Sequence, residues 1–376
     1  MKGEFVVLEK TKVLYIVPRC TKSGPIQVLQ NIIKYLDKNY FELFLISIEP
    51  ENNKRSMLDE LKVDLKYQYV PVCKFQAVCG LTQKLRKTIE MINPDVIHTT
   101  GIIPDWIINR LFPEKQITIV HANFMVDYKY LCGRTVGFFL SRLHVAIIKK
   151  AHKAVACSKS LSDIYKQMGI DLPYVRNGVR CCIDEEMLVS RADLKLSEKK
   201  ILFLYAASFN ERKNHAFLCE IFSKNNSILN NCELILLGDG PTFDNLYQKY
   251  SKLNNINFVG RVPNVADYIY CCDYFVSSSI QEGMPMGVLE AMAKGMPVIL
   301  SDIPQHKEIF DINSSVGVLF DLENEDSFLK KVQELLLMDR ELLSIECKNT
   351  VKEQFDEKEM SRCYQAYYKE YSNRVV

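Results

Sequence analysis

The sequence predicts an α/β protein made of two doubly wound, Rossmann-like domains facing a central cleft. Three observations predict it. Short apolar runs alternate with helical patterns along the chain, the mark of βα units and parallel sheets. The alternation comes as two series, separated by the polar, charged stretch Asp184–Lys200. The length, 376 residues with 48% hydrophobic and 25% charged, suits two domains of ordinary globular composition.

The elements follow in order. Strands are expected at Val13–Val17, Leu43–Ile48, Val96–Thr99, Ile117–His121 and Ala154–Cys157. After the first of them, Ile26, Leu29, Ile32, Ile33 and Leu36 recur at helical spacing and place a helix over Ile26–Leu36. The second series has strands at Ile201–Ala206, Glu233–Leu237, Ile256–Val259, Tyr274–Ser277, Val298–Ser301 and Val318–Phe320, and Met360–Ser372 reads as a final helix. Ligands of such sheets bind outside the carboxyl ends of the strands.

Composition narrows the function. A net charge of +2 gives no support to nucleic-acid binding. The thirteen cysteines are odd in number and scattered, and Cys181-Cys182 and Cys271-Cys272 are adjacent. They read as reduced thiols of a cytoplasmic protein without a signal peptide. No Cys or His cluster has the spacing of zinc ligands. No apolar run approaches the ~18–20 residues that cross a bilayer.

The densest stretch is 274–304, read as strand, loop, short helix, turn and strand. Its strand ends in Ser277, Ser278 and Ser279; Glu282 follows, and the helix that opens after Pro285 carries Glu290 and stops at Gly295. The backbone of Gly283, Met284, Pro285, Met286 and Gly287 forms the loop and first turn, where amides lack intrahelical partners and the helix dipole favours an anion. Side chains lean toward the N-terminus of a helix, so Glu290 reaches a ligand seated there. Glu282 comes to the same spot from the loop. Two carboxylates beside a phosphate suit sugar hydroxyls, from which they accept charge-assisted hydrogen bonds.

Glu282, seven residues, then Glu290, followed by LEAMAKGMPVILSD, resembles the motif of the retaining glycosyltransferases of family 4, the group 1 enzymes with the GT-B fold. Other segments resemble the same family. Pro18 to Pro25, with Gly24, is similar to its glycine-rich first loop, though with one glycine where many members have more. Residues 206–215 are similar to its G-R-L-x-x-x-K segment. Lys213 stands at the lysine that holds the diphosphate, Ser208 stands where the arginine belongs, and the neighbouring Arg212 is a substitute cation only if its side chain points inward, a direction the sequence leaves open. Leu237-Gly238-Asp239-Gly240-Pro241 is similar to the family's V-G-x-G-P turn, which either contacts the donor or only closes a strand. Gly260-Arg261-Val262 lies in the segment whose backbone holds the nucleotide base. His121 stands at a histidine near the sugar, while His98 is a second strand-end histidine. Ser158 and Asn177-Gly178-Val179 resemble landmarks of the first domain's end.

The resemblance implies a first domain over 1–188 that binds acceptor and a second over 189–358 that binds donor. A C-terminal helix, 359–376, crosses back. It implies transfer of a sugar from a nucleotide-diphosphate sugar, UDP-linked by preference with a GDP-sugar as the alternative, to a saccharide or lipid-linked saccharide hydroxyl, with retention and without a metal or other cofactor. Glu282, Lys213 and His121 would serve catalysis and the other residues the donor, with Glu290 on the ribose. Other GT-B enzymes, an epimerase or an inverting transferase, and a non-catalytic sugar-nucleotide binder remain alternatives. Tyr128–Lys153 holds six Lys or Arg, no Asp or Glu and several aromatics. That segment fits a helix packed on the first domain with its charges solvated, with peripheral docking on an anionic membrane as the alternative.

Overall fold

In the computed structural model, the described residues are 9–21, 23–50, 58, 61, 63–181, 189–224 and 226–371. Cys182, Lys22, Ser372 and the start of the Asp184–Lys200 stretch lie outside them. The chain divides into two compact units, the first of Met1–Gly178 with Glu357–Val376 and the second of Val179–Asp356.

The first unit is a six-stranded parallel sheet in the order β3-β2-β1-β4-β5-β6. Its strands are β1 (Thr11–Val17), β2 (Phe41–Ser47), β3 (Leu65–Tyr69), β4 (Val96–Thr99), β5 (Gln116–Val120) and β6 (Lys153–Ala156). Its helices are α1 (Gly24–Lys34), α2 (Lys74–Cys79), α3 (Gln83–Ile92), α4 (Ile102–Leu111), α5 (Phe124–Cys132), α6 (Arg134–Lys150) and α7 (Lys159–Gln167). Leu14, Ile16, Ile46 and Ile97 from the central strands pack with Ile107 and Ile108 of α4 in a core without solvent access. β3 was not expected. It is an edge strand of sequence LKYQY with four of five residues exposed, and so lacks the apolar run that marks its neighbours.

The second unit repeats the plan. Strands β7 (Ile201–Ala206), β8 (Cys232–Leu237), β9 (Ile256–Gly260), β10 (Tyr274–Ser277), β11 (Val298–Ser301) and β12 (Gly317–Phe320) pair in the order β12-β11-β10-β7-β8-β9. The helices are α8 (His215–Ser223), α9 (Phe243–Tyr250), α10 (Val265–Cys271), α11 (Met286–Ala293), α12 (Pro304–Ile312), α13 (Glu325–Leu337) and α14 (Arg340–Gln354). Leu204, Leu236, Val276 and Leu300 are fully buried in its sheet. The polar stretch before β7 is folded onto this unit: the Arg191 guanidinium donates to Cys271 O, Ser197 O and Lys200 O and pairs with Asp273 at 2.8 Å.

The last helix, α15 (Glu357–Tyr371), belongs to the first unit. Ser361 Oγ donates to Ile32 O at 2.8 Å, and Lys34 pairs with Glu357 at 2.9 Å. Tyr364 and Tyr368 are wholly buried, and His98 Nδ1 lies 2.5 Å from the Tyr368 hydroxyl.

Candidate active site

In each sheet the chain runs outward in both directions from two neighbouring central strands. In the second unit these are β7 and β10, and loops leaving their carboxyl ends diverge there. Such a switch point is where open α/β sheets bind ligands. Ser208 to Lys213 follow β7, and Ser278 to Glu282 follow β10.

The two loops are tied together. Ile280 N–H donates to Arg212 O at 2.8 Å. Ser278 Oγ donates to Asn214 O at 2.8 Å, and the buried Tyr205 hydroxyl reaches both Lys213 O (2.8 Å) and Ser279 Oγ (2.9 Å). Asn210 caps the turn Glu211–Lys213 by accepting from Lys213 N–H at 3.0 Å, and Asn214 closes it with φ +50°. His215 stacks on Phe209 at 3.9 Å and on Tyr205 at 4.5 Å.

These ties aim two cations at one carboxylate. Glu282 is only 5% exposed. It accepts from the Lys213 ammonium, from Arg212 Nη1 at 3.2 Å and from Ser279 Oγ at 2.6 Å. Burial by itself would raise its pKa. The Lys213 and Arg212 charges outweigh that, aided by hydrogen bonds from Lys213 and Ser279, and hold it at about 2. Arg212, whose direction the sequence left open, thus points to the same carboxylate as Lys213, and its Nη1 also donates to Gln281 O at 2.9 Å. Ser208, at the expected arginine position, is exposed and accepts from Asn210 Nδ2 at 2.9 Å.

The α11 helix begins directly after Glu282-Gly283-Met284-Pro285, with Pro285 as its N-cap and no acidic residue in its first turn. The amides of Met286 and Gly287 face out of the helix end, where an anion is favoured. Met284 is buried and Glu290 is exposed on the helix.

The strands beside this centre place the remaining second-unit residues at the same sheet edge. A Cβ on Gly238 would sit 2.0 Å from Ala207 O, and one on Gly240 2.3 Å from Phe209 O. Both glycines are therefore required by close packing of the β8 turn against the β7 loop, a structural use that needs no ligand. Arg261, after β9, is exposed and lies 3.7 Å from Asp239, and Val262 beside it is half-buried.

Gly24 and His121 belong to the first unit. Gly24 opens α1, and a Cβ there would meet nothing within 4 Å. His121 follows β5, with Nε2 3.4 Å from Thr100 Oγ1. Burial, partly opposed by the charge of Asp105, lowers its pKa to about 4. It lines a pocket of about 430 Å³ with residues after β1, β4 and β5, at this sheet's own switch point between β1 and β4.

Several polar residues were missed in the sequence. Tyr205 holds the acid–cation cluster through Ser279, one of the three serines already named at the strand end. His306, on α12, is fully buried, with Nδ1 2.8 Å from Ser301 O and Nε2 without a hydrogen-bond partner. Burial chiefly, against the pull of Glu282, lowers its pKa to about 4. Its position two residues after Pro304 at a strand exit was the available signal. In the first unit Asp105, His144 and Tyr128 also line the pocket and were not singled out together. Among the described residues, no group of three or more His, Cys, Asp or Glu is placed to hold a metal ion, and no helix is long and apolar enough to cross a membrane.

Two doubly wound units of this topology, each gathering polar residues at its switch point, are the GT-B class of fold. Residues 188–353 match the family described as glycosyl transferases group 1, so the chain carries a group 1 glycosyltransferase domain, in agreement with the motif around Glu282 and Glu290. The O-antigen biosynthesis glycosyltransferase WclY of Escherichia coli is 25% identical over 335 residues, 85% of this chain and 87% of that one. The UDP-Gal:alpha-D-GlcNAc-diphosphoundecaprenol alpha-1,3-galactosyltransferase of Escherichia coli is 26% identical over 366 residues, 90% of this chain and 91% of that one. Sucrose-phosphate synthase of Thermosynechococcus elongatus shares the fold, with a TM-score of 0.78 at 16% identity over 96% of this chain and 99% of that one.

Proposed function

We propose that this glycosyltransferase moves a hexose-type sugar, with retention, from a UDP-sugar to a hydroxyl of a saccharide or lipid-linked saccharide in cell-surface polysaccharide synthesis. The observation that carries the reading is the pair of cations on Glu282 beside the N-terminus of α11. A diphosphate seated at that helix end meets Lys213 and Arg212, which stabilise the charge that develops as the sugar leaves. Because both cations are already held in place by the two tied loops, little reorganisation is needed at the moment of bond breaking. Glu282 keeps them oriented and, on the sugar side, accepts from donor hydroxyls. Glu290 takes the ribose hydroxyls. With two fixed cations and a helix dipole on the diphosphate, no divalent ion is required.

The UDP-sugar and the lipid-linked acceptor are favoured by the relative of known donor and acceptor that aligns over nine-tenths of the chain. Peripheral membrane contact is favoured by α5 and α6, where Leu131, Phe138 and Phe139 are exposed on helices that also carry Lys129, Arg142, Lys149 and Lys150. A membrane-bound acceptor would be met at the inner face of the cytoplasmic membrane.

The test is incubation with a panel of UDP- and GDP-sugars, reading nucleotide release with and without saccharide acceptors, and the anomeric configuration of any product by NMR. Release from a UDP-sugar, with the donor's configuration kept, is expected. Tight nucleotide binding with no release under any acceptor would instead mark a binding protein, and an inverted product would sink the retaining mechanism.

A further inference from the structure

The first-unit pocket contains a buried relay that nothing above uses. Asp105 is 1% exposed. Its Oδ1 accepts from Thr99 Oγ1 at 2.5 Å and from Thr118 Oγ1 at 2.8 Å, and its Oδ2 lies 3.0 Å from His144 Nε2. Gln116 Nε2 donates to Thr99 Oγ1 at 3.0 Å, which turns the Thr99 proton toward the carboxylate. His144 Nδ1 lies 2.8 Å from the Tyr128 hydroxyl.

The direction of the chain follows from these contacts. A carboxylate only accepts, so His144 donates from Nε2, and in the neutral ring Nδ1 then accepts the Tyr128 proton. Burial, with the nearby charges of Asp105 and Asp127, raises the Tyr128 pKa and keeps that proton on the phenol. The phenol oxygen is then left with acceptor capacity toward the pocket it lines. Packing fixes the relay in place. The His144 ring stacks on Phe124 at 3.7 Å with the planes 9° apart. A Cβ on Gly137 would fall 2.4 Å from Tyr128 O, so a glycine lets α6 close onto α5 at the tyrosine.

The rest of the pocket suits an uncharged polyhydroxy ligand. Arg19 is engaged with Glu49 at 2.8 Å, His121 is held neutral, and Thr100 adds a hydroxyl. Apolar walls come from Ile26, Ile102 and Ile119, and about 430 Å³ lies within the usual range of small-molecule sites. We propose that Tyr128, with its polarity set by His144 and Asp105, is a specificity residue that accepts a hydrogen bond from one hydroxyl of the acceptor saccharide. The inference rests on the glycosyltransferase reading. It predicts selection for a sugar that bears that hydroxyl over its deoxy analogue, because the deoxy sugar leaves a desolvated oxygen unpaired.

The test uses the full chain, octyl glycosides of glucose, galactose, N-acetylglucosamine and N-acetylgalactosamine as probes, and 15N NMR of His144. The wild type should show the Nε2–H tautomer, and at least one glycoside at millimolar concentration should move the Nδ1 resonance. Tyr128→Phe should abolish that movement and weaken the same glycoside by about tenfold, the scale of one lost hydrogen bond. Asp105→Asn presents an amide N–H to the ring, so it should switch the tautomer to Nδ1–H and change the ranking of the four probes. Glycoside binding that survives Tyr128→Phe with its His144 response intact would overturn the proposal, as would no glycoside binding at all. UDP affinity measured on the same samples separates the two readings. Loss of UDP binding in the wild type would remove the glycosyltransferase reading. UDP binding with a silent His144 would remove only the role of Tyr128.

Discussion

Replacing Glu282 by Gln removes the anion on which Lys213 and Arg212 converge. The carboxyl sits at about 2 instead of its ordinary 4.5, so folding favours its ionised form by roughly 3 kcal/mol. The sign is that of a depressed carboxyl. The contribution is complete above pH ~4.5 and is lost as the pH falls from there through about 2. The variant lacks it at every pH and leaves two cations, with side chains 24% and 18% exposed, facing a neutral amide. At neutral pH, roughly 3 kcal/mol should lower the melting temperature of the second unit by about 6–12 °C, since ~1 kcal/mol shifts a domain of this size by ~2–4 °C. Toward pH 3 the gap between the two proteins should narrow. Differential scanning calorimetry from pH 7 to pH 3 is the assay. Tryptophan fluorescence would report the wrong unit, because the single tryptophan, Trp106, lies on α4 of the first. A gap that stays constant across that range would refute the electrostatic account of the cluster.

Further outcomes follow from the same site. Lys213→Ala should slow turnover by roughly 10²–10³, the scale of one lost preorganised donor, and a variant keeping more than about half its rate would refute the leaving-group role. Arg212→Ala should also cost about tenfold or more, because the guanidinium shares the Glu282 carboxylate; a nearly unchanged rate in steady-state kinetics with one identified donor would mark an inert surface arginine instead. Glu290→Ala should weaken UDP binding by ~1.5–3 kcal/mol in calorimetric titration, and unchanged affinity would sink the ribose assignment. Transfer should continue at near-normal rate in EDTA, and a loss restored by magnesium or manganese would count against the two-cation account. Anionic liposomes should sediment the protein in low salt only, and Lys149→Gln with Lys150→Gln should weaken that association; salt-independent or absent binding would leave the exposed aromatics of α6 without a lipid role.

Much of the architecture was legible in the sequence because central parallel strands are buried on both faces and read as apolar runs. The edge strand β3 was not, since Lys66, Tyr67, Gln68 and Tyr69 face solvent and carry no such run. In the second unit, the motif residues Lys213, Glu282 and Glu290 could be named because they recur at fixed spacing in one family. That Lys213 and Arg212 would both turn to Glu282 could not be read, since it depends on ties through Tyr205, Ser278 and Asn210. The relay of the first unit left even less trace. Asp105, Tyr128 and His144 lie on three helices, and only the packing of α4, α5 and α6 joins them.

The path of the chain has a consequence for how the molecule is made. The second unit is one continuous stretch, complete once Asp356 has been synthesised. The first unit is not: Tyr364 and Tyr368, which close over Tyr15 and His98, come after the whole of the second unit in the chain. Domains generally mature in the order they are synthesised. Here the first unit cannot be completed until the second has been synthesised, because α15 lies beyond it in the chain. A nascent chain stalled before Glu357 should therefore carry a mature second unit attached to a first unit open to proteases, and release of α15 should be the step that seals it.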